Sequence, residues 1–391
     1  MRVYVERELG GKLAQLAGKF PAIYLNGPRQ SGKSTLLGHV FPGHTQVNLE
    51  EPDRRSFALD DPRGFLASLG SRAVIDEAQR APNLFSYLQT VLDSSDEPGR
   101  FVLSGSQNFL VARAVSQSLA GRVAVLTLLP FSLAELDAVG GPETAEEWML
   151  AGGYPRLHTA GIEPRDYFPS YTATYLERDV RAETGVKDID RFRALMGTLG
   201  SRVGSPLNLA DIGRQVGADA RTVGSWLNIL AESYIVFTLP SWHINADKRI
   251  AKRPKLFFHD TGLLCSLLGV RNAEQLGASR VKGHVFENAV VSEAAKAFLN
   301  RGEAPRLHYL NDHDSSAEID LVVETGSGVA VWEIKASQTA NSKYATAVAR
   351  FQTAVDVADR RVVYDGPDGL SQQGVPYSNW RKLPELLAAL D

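Results

Sequence analysis

Gly27-Pro28-Arg29-Gln30-Ser31-Gly32-Lys33-Ser34-Thr35 follows the apolar run Ala22-Ile23-Tyr24-Leu25 and opens a segment, Leu36 to Val40, that reads as helix. Strand, Gly-x-x-x-x-Gly-Lys-Ser and helix, in that order, make the phosphate-binding P-loop pattern. The glycines let the backbone curl until successive N–H groups converge on an anion. The helix that follows aims its positive end at the same charge. Lys33 can reach the β- and γ-phosphate oxygens, and the Ser34 hydroxyl suits a bound Mg²⁺. The whole stretch Gly27 to Thr35 is therefore expected to hold ATP.

Outward from the loop, Leu9, Leu13 and Leu16 mark a short amphipathic helix on its N-terminal side, and Thr45 to Leu49 reads as a second strand. Ala73-Val74-Ile75-Asp76-Glu77 is an apolar strand ending in two carboxylates. A buried parallel strand delivers its last residues to the carboxyl edge of the sheet, where a P-loop also sits. Asp76 is expected to complete the Mg²⁺ shell and Glu77 to orient or deprotonate the attacking water. The third strand, Arg100 to Ser106, ends in polar residues; Ser106 is the first choice to reach the γ-phosphate or the water, with Ser104 and Gln107 behind it. The alternative for these three is an ordinary polar loop start. Val111 to Leu119 reads as helix and Val123 to Leu129 as a further strand, closed by Pro130.

The composition is ordinary for a globular chain: 391 residues, 44% apolar and 22% charged, which by length suggests two or three domains. A net charge of −3 gives no general pull towards nucleic acid, so any such contact must be a local patch. The single cysteine, Cys265, excludes an intramolecular disulfide and fits a reducing compartment. No apolar run approaches the ~20 residues that span a bilayer, and the N-terminus lacks an apolar signal core. These features lead to the expectation of a cytoplasmic protein with no membrane partner.

Val74-Ile75-Asp76-Glu77, Leu103-Ser104-Gly105-Ser106, and Ser118-Leu119-Ala120-Gly121-Arg122 leading into Leu129-Pro130-Phe131-Ser132 resemble, with the P-loop, an AAA-type ATPase subfamily common in prokaryotes. The resemblance covers nearly the whole chain. It implies a RecA-like parallel sheet, ATP hydrolysis and a small helical subdomain after the core. It also implies that an arginine in the place of Arg122 completes a neighbouring subunit's site, and hence a homo-oligomer, of which a hexamer is one form. A guanidinium supplied in trans neutralises charge on the transferred phosphoryl; the plainer reading of Arg122 is a helix C-terminal charge favoured by the dipole.

Pro142 to Leu150 and Pro164 to Glu183 read as helices around a Gly152-Gly153-Tyr154-Pro155 turn, with Tyr167, Tyr171 and Tyr175 on a packing face. Leu209 to Val216 is a short helix stopped by Gly217; Asp219 caps a second, Ala220 to Ala231, and Tyr234 to Leu239 is a strand. Helix, tight turn, helix, strand matches a winged helix-turn-helix, with Arg221, Thr222 and Ser225 turned towards a DNA groove. Lys248-Arg249-Ile250-Ala251-Lys252-Arg253-Pro254-Lys255 then packs five cations into eight residues, so Lys248, Arg249, Lys252 and Arg253 are expected phosphate contacts. A winged helix can also serve purely as a protein-binding module.

In the C-terminal part, Gly283 to about Leu299 is a helix carrying Glu287, and Glu318 to Val323 and Val329 to Lys335 are strands joined by the turn Thr325-Gly326-Ser327-Gly328. Counting outward from Gly326-Ser327 sets Asp320 opposite Glu333, with Lys335 on the same face. Glu287, Asp320 and Glu333 with Lys335 thus form a possible site for a second divalent metal and an activated water. The pattern resembles a PD-(D/E)xK nuclease core with Ile319 in place of the proline. Asn341 to Leu390 reads as a helix, a strand and a closing helix.

The fold expected is α/β: a RecA-like P-loop ATPase core (1–137), a helical lid (138–200), a winged helix-turn-helix (201–260) and a restriction-endonuclease-like α/β domain (261–391). The function expected is ATP hydrolysis with Mg²⁺ by an oligomeric motor acting on DNA. The rival readings are an ATP-controlled metal-dependent DNA nuclease and a regulatory protein that uses ATP only as a switch.

Overall fold

The computed structural model describes residues 4–94, 97–106, 119, 121–176, 188–243, 252–312 and 317–390. The expected helix over Val111–Leu119 falls outside these residues apart from Leu119, as do Gln107, Lys248, Arg249 and the stretch 177–183 of the expected helix ending at Glu183.

Five strands, β1 (Ala22–Asn26), β2 (Thr45–Asn48), β3 (Ala73–Asp76), β4 (Phe101–Ser104) and β5 (Val123–Thr127), form a parallel sheet in the order β2-β3-β4-β1-β5. Every residue of β1, β3 and β4 is buried. Their alternation divides them between two faces. Ala22, Tyr24, Ala73, Ile75, Phe101 and Leu103 pack with helices Pro62–Ser68 and Leu84–Asp93, whereas Ile23, Leu25, Val74 and Val102 pack with Leu9, Leu13, Leu36 and Leu37. Apolar runs covered on both sides are what a parallel sheet demands. Strand order reverses around β1, so the loop leaving its carboxyl end opens into the crevice where such sheets bind ligands.

After Leu129 the chain builds helices Leu133–Asp137, Ala145–Ala151, Pro155–Ala160 and Pro164–Tyr171. The Gly152-to-Pro155 stretch is more than the expected turn, because Pro155 sits in the first turn of its own helix, where its fixed φ and missing N–H cost nothing. Helices Leu209–Val216 and Ala220–Glu232 are joined through Gly217, at φ 69°. Asp219 caps the second by accepting the Thr222 N–H at 2.9 Å. Strand β6 (Val236–Leu239) pairs antiparallel with β7 (Lys255–Phe258).

The C-terminal sheet has six strands in the order β12-β13-β11-β10-β9-β8: β8 (Leu307–Asp312), β9 (Ala317–Glu324), β10 (Val329–Lys335), β11 (Val357–Tyr364), β12 (Leu370–Gln372) and β13 (Val375–Asn379). The sequence shows β9, β10 and β11 but not the edge strands β8 and β12 or the short β13 between β12 and β11. The β9–β10 ladder pairs Val329 with Glu324 and Trp332 with Leu321, the register counted from the turn. The long helix Lys282–Asn300 packs with Leu321, Val323 and Trp332, and helix Ser342–Arg350 lies against Val322, Val331 and Val362 on the other face. One apolar core runs from Phe131 through Trp148, Phe192, Trp226, Phe258 and Phe286 to Trp332. The three segments after the ATPase sheet therefore share packing across the expected divisions at 200 and 260.

Candidate active site

The P-loop takes its shape from close backbone approach. Gly27 has φ 143°, and a Cβ there would lie 2.1 Å from the Leu128 carbonyl oxygen; Gly32 has φ 98° at the head of helix Lys33–Val40. Gln30 and Glu77 are two of the four non-glycine residues with positive φ among those described. Both face this cleft, and strained backbone of that kind persists where the surroundings hold it. Lys33 is buried and donates to the carbonyls of Gly27 at 2.9 Å and Pro28 at 2.8 Å. Burial pulls its ammonium down to about 8, against the attraction of Glu77 and Asp76.

Asp76 ends β3 beside the loop. The Ser34 hydroxyl donates to its Oδ2 at 2.5 Å, the Glu77 N–H to Oδ1 at 3.1 Å, and the Ser104 hydroxyl also to Oδ1. Ser104, expected behind Ser106 at the phosphates, thus holds Asp76. A hydroxyl and a carboxylate in contact, with no third acidic or histidine ligand converging among the described residues, suit Mg²⁺, which keeps waters and substrate phosphates in its shell. Glu77 Oε2 accepts from Gln79 Nε2 at 2.5 Å and from the Ser106 hydroxyl at 3.3 Å. Gln79 Nε2 also reaches Ser106 Oγ at 3.3 Å. Ser106, expected at the γ-phosphate or the water, thus contacts Glu77. Gln79 escaped the sequence reading, although its place two residues beyond the carboxylate was a signal.

A second missed residue is Arg7. Only 5% exposed, it donates from Nε to Glu135 Oε1 at 2.9 Å, and from its two terminal nitrogens to the carbonyls of Ser31 (2.7 Å) and Leu129 (2.6 Å). Its guanidinium carbon lies 4.9 Å from the centre of the Phe131 ring. One cation thus ties the P-loop to the segment leaving β5. Helix Pro164–Tyr171 meets the loop from the other side: Tyr167 donates to Gln30 Oε1 at 2.9 Å, and Tyr154 to the Tyr171 hydroxyl at 3.0 Å. Arg29 stands 3.7 Å from Glu50 Oε1. These elements enclose a cleft of about 510 Å³. Gly32, Lys33, Ser34, Thr35 and Glu77 line it together with Tyr4, Val5, Phe131, Pro155 and Arg156. Arg156, unnoticed in the sequence, is the cation brought to the cleft by the helical segment.

The other expected site residues lie apart from it. Arg122 precedes β5 and so sits at the opposite edge of the sheet from the P-loop, where its Nε contacts Asp93 Oδ1. Arg221 and Ser225 are exposed on helix Ala220–Glu232, but the Thr222 hydroxyl is spent on Asp219 at 2.8 Å. Of the basic run, Arg253 is exposed, Lys252 donates to the Asn311 carbonyl at 2.5 Å, and Lys255 turns inward.

The C-terminal carboxylates carry the expected lysine and one cation that the sequence did not suggest. Lys335 Nζ lies 2.6 Å from Glu333 and 3.2 Å from Asp320; Lys255 Nζ lies 3.4 Å from Glu287 and 3.5 Å from Glu318. Asp320 Oδ2 also accepts the Ile334 N–H at 2.9 Å. Among the described residues no three acidic or histidine side chains converge to hold a metal ion. The turn-counting that aligned Asp320 with Glu333 had no access to Lys255, a cation that arrives beside Glu287 from another sheet. Burial, then the Asp320 charge, pushes the carboxyls of Glu287 and Glu333 up. Burial pulls Lys255 and Lys335 down, and the carboxylates more than offset this, so both stand above the usual lysine range.

Fold, P-loop and carboxylate pair define an AAA-type P-loop ATPase domain, and the AAA domain family matches residues 19–137. Two families described as domains of unknown function, DUF8612 and DUF4143, match residues 142–274 and 282–382. The chain is 32% identical over 339 residues to the uncharacterized protein Rv2008c of Mycobacterium tuberculosis, covering 85% of this chain and 74% of that protein. An uncharacterized protein of Mycobacterium bovis, Mb2031c, matches to the same extent. The chain belongs to the family of these mycobacterial proteins. Among solved structures it is similar to the Walker-type ATPase paby2304 of Pyrococcus abyssi (TM-score 0.46, 15% identity, 68% of this chain and 96% of that one). It is also similar to AMPPCP-bound DnaA from Aquifex aeolicus (TM-score 0.29, 16% identity, 57% and 86%). No helix among the described residues is long and apolar enough to cross a membrane.

Proposed function

We propose that the chain hydrolyses ATP in the cleft between the P-loop and the helical segment, and does so as an oligomeric motor on DNA. The observation that carries the hydrolytic reading is the Glu77 carboxylate, held by Gln79 and Ser106 in the same cleft as Lys33 and Ser34. Gly27 to Thr35 wrap the phosphates with backbone N–H groups, and Lys33 supplies the positive charge. Ser34 and Asp76 would hold Mg²⁺, which when bound neutralises phosphate charge. Glu77 accepts the proton of the attacking water, and Gln79 and Ser106 fix its orientation. Tyr4, Val5 and Phe131 offer an apolar end for the base, and Arg156 brings a cation from the helical segment that can close on the phosphates. Arg122 cannot reach the site of its own chain, so its catalytic reading is one in trans, which requires an oligomer.

The DNA reading is supported by the capped helix Ala220–Glu232, which turns Arg221 and Ser225 outward next to the β6–β7 ribbon, as a winged helix-turn-helix would. Turnover should rise several-fold with duplex DNA, and Arg221→Ala should weaken that response while leaving DNA-free turnover intact. A response equally strong in Arg221→Ala would remove this helix from the contact, and no response to any DNA or RNA would favour an ATP switch. For the nuclease reading, Lys335 stands beside Asp320 and Glu333 as that pattern requires, but Lys255 against Glu287 is a cation the pattern does not include.

A further inference from the structure

Arg29, the third residue of the P-loop, has a side chain only 12% exposed, and its Nη1 lies 3.7 Å from Glu50 Oε1. Arg80 Nη2 meets the same oxygen at 3.0 Å. Strand order fixes which side of the cleft this is. Glu50 follows β2 and Glu77 follows β3, its parallel neighbour, and the Leu49 N–H donates to the Asp76 carbonyl at 3.0 Å. Arg80 ends the short turn Ala78–Arg80 that begins at Glu77, and its N–H donates to the Glu77 carbonyl at 3.0 Å. The Arg29 side chain therefore leaves the loop after β1 towards β3 and β2, where Asp76 and Glu77 stand, whereas Phe131 follows β5 on the other side of β1. Arg29, Lys33, Glu50 and Glu77 line one cleft. After burial, it is the Arg29 charge that pulls the Lys33 ammonium down.

Resting on the hydrolytic reading of this cleft, we propose that Arg29 is a further catalytic residue, a guanidinium that the chain's own P-loop supplies to the γ-phosphoryl oxygens, and that Glu50 holds it in the empty cleft. Water activated by Glu77 attacks the γ end of the triphosphate, and that is the side Arg29 reaches. As the water oxygen bonds to the γ-phosphorus, its proton passes to Glu77, the β–γ bridging bond breaks and its electron pair leaves with ADP. Charge spread over the γ oxygens is matched by a planar cation with paired donors better than by the Lys33 ammonium alone. Glu50 is 47% exposed, so water screens its pull on Arg29. A γ-phosphate can take the guanidinium over and leave Glu50 with Arg80. Arg29 acts within its own subunit, beside any arginine supplied in trans.

The test is calorimetric binding of Mg-ADP and of Mg-AMPPCP, a non-hydrolysable ATP, to the full chain, with ATP turnover measured alongside. Arg29→Met should bind AMPPCP at least about tenfold more weakly and ADP within about twofold of wild type. Its kcat should fall about 10²–10³-fold. Glu50→Gln releases the guanidinium, so it should bind AMPPCP about two- to fivefold more tightly with ADP unchanged. An arginine that only shapes the loop would weaken both nucleotides equally when replaced; that result, or wild-type turnover in Arg29→Met, overturns the proposal. Should Arg29→Met fail to fold, Glu50→Gln decides, and no gain in AMPPCP affinity there refutes it. A wild type without turnover overturns the hydrolytic reading instead, and the contrast between AMPPCP and ADP still decides whether Arg29 meets the γ-phosphate.

Discussion

Removing Arg7 should loosen the nucleotide cleft without touching the P-loop sequence. In Arg7→Met the apolar stem is kept, but the Glu135 carboxylate, itself almost wholly buried, loses its counter-charge, and the carbonyls of Ser31 and Leu129 lose their donors. Removing one partner of a buried pair costs about 3–5 kcal/mol. Glu135 keeps two backbone donors, Glu8 N at 2.8 Å and Ser132 N at 2.9 Å, which argues for the lower end, about 3 kcal/mol. For a cooperative unit of 150–250 residues that is a midpoint about 6–12 °C lower. Differential scanning calorimetry on Arg7→Met, Glu135→Gln and the double variant closes the cycle. The double should recover at least about 1 kcal/mol over the sum of the singles, because the stranded charge is gone. A midpoint shift under about 2 °C for Arg7→Met, or strictly additive losses, would refute the clasp.

Three more outcomes concern the ATPase reaction. The Lys33 ammonium, near 8 in the empty site, should return to an ordinary value beside a polyphosphate. Binding of ATP at pH 8 then takes up about half a proton, and affinity falls about tenfold per pH unit above that; calorimetry in two buffers detects the uptake, and its persistence in Lys33→Met would contradict the assignment. Because the folded value is depressed, the empty site costs stability below about pH 8 and not above the ordinary lysine range. Gln79→Ala removes one hydrogen bond to a charged group, so kcat should drop roughly tenfold at unchanged KM, whereas a raised KM with normal kcat would assign Gln79 to binding. Arg122→Ala should lower kcat about 10³-fold, and mixing it with Glu77→Gln should restore turnover, since one subunit supplies the arginine and the other the site. Mixtures as inactive as their parts would place the defect of Arg122→Ala within its own chain.

What could be read from sequence was local. The P-loop, the Asp76-Glu77 pair and the β9–β10 register each depend on residues within a single strand and turn, so spacing alone carries them. Arg7 could not be found that way, because its partners lie 24, 122 and 128 residues on, and a lone arginine after Val5 has no pattern. Lys255 illustrates the opposite failure: a run of five cations suggested phosphate contacts, yet the first side chain of β7 turns inward to Glu287 of the long helix and Glu318 of β9. The strands β8, β12 and β13 were missed because they flank the interior strands of a mixed sheet, where polar residues such as His308, Asn311 and Gln372 dilute the apolar signal. The divisions drawn at 200 and 260 followed motifs, while the packing of Phe192, Trp226, Phe258 and Phe286 ignores them.

The account turns on Glu77 as the base, and ATP turnover together with ATP binding by wild type and Glu77→Gln tests it most directly. Loss of the base should lower kcat by about 10²–10⁴-fold while Mg-ATP still binds with near wild-type affinity, because Lys33, Ser34 and Asp76 are untouched. Glu77→Gln that turns over ATP at the wild-type rate would contradict the assignment and move the search for the base to another residue of the cleft.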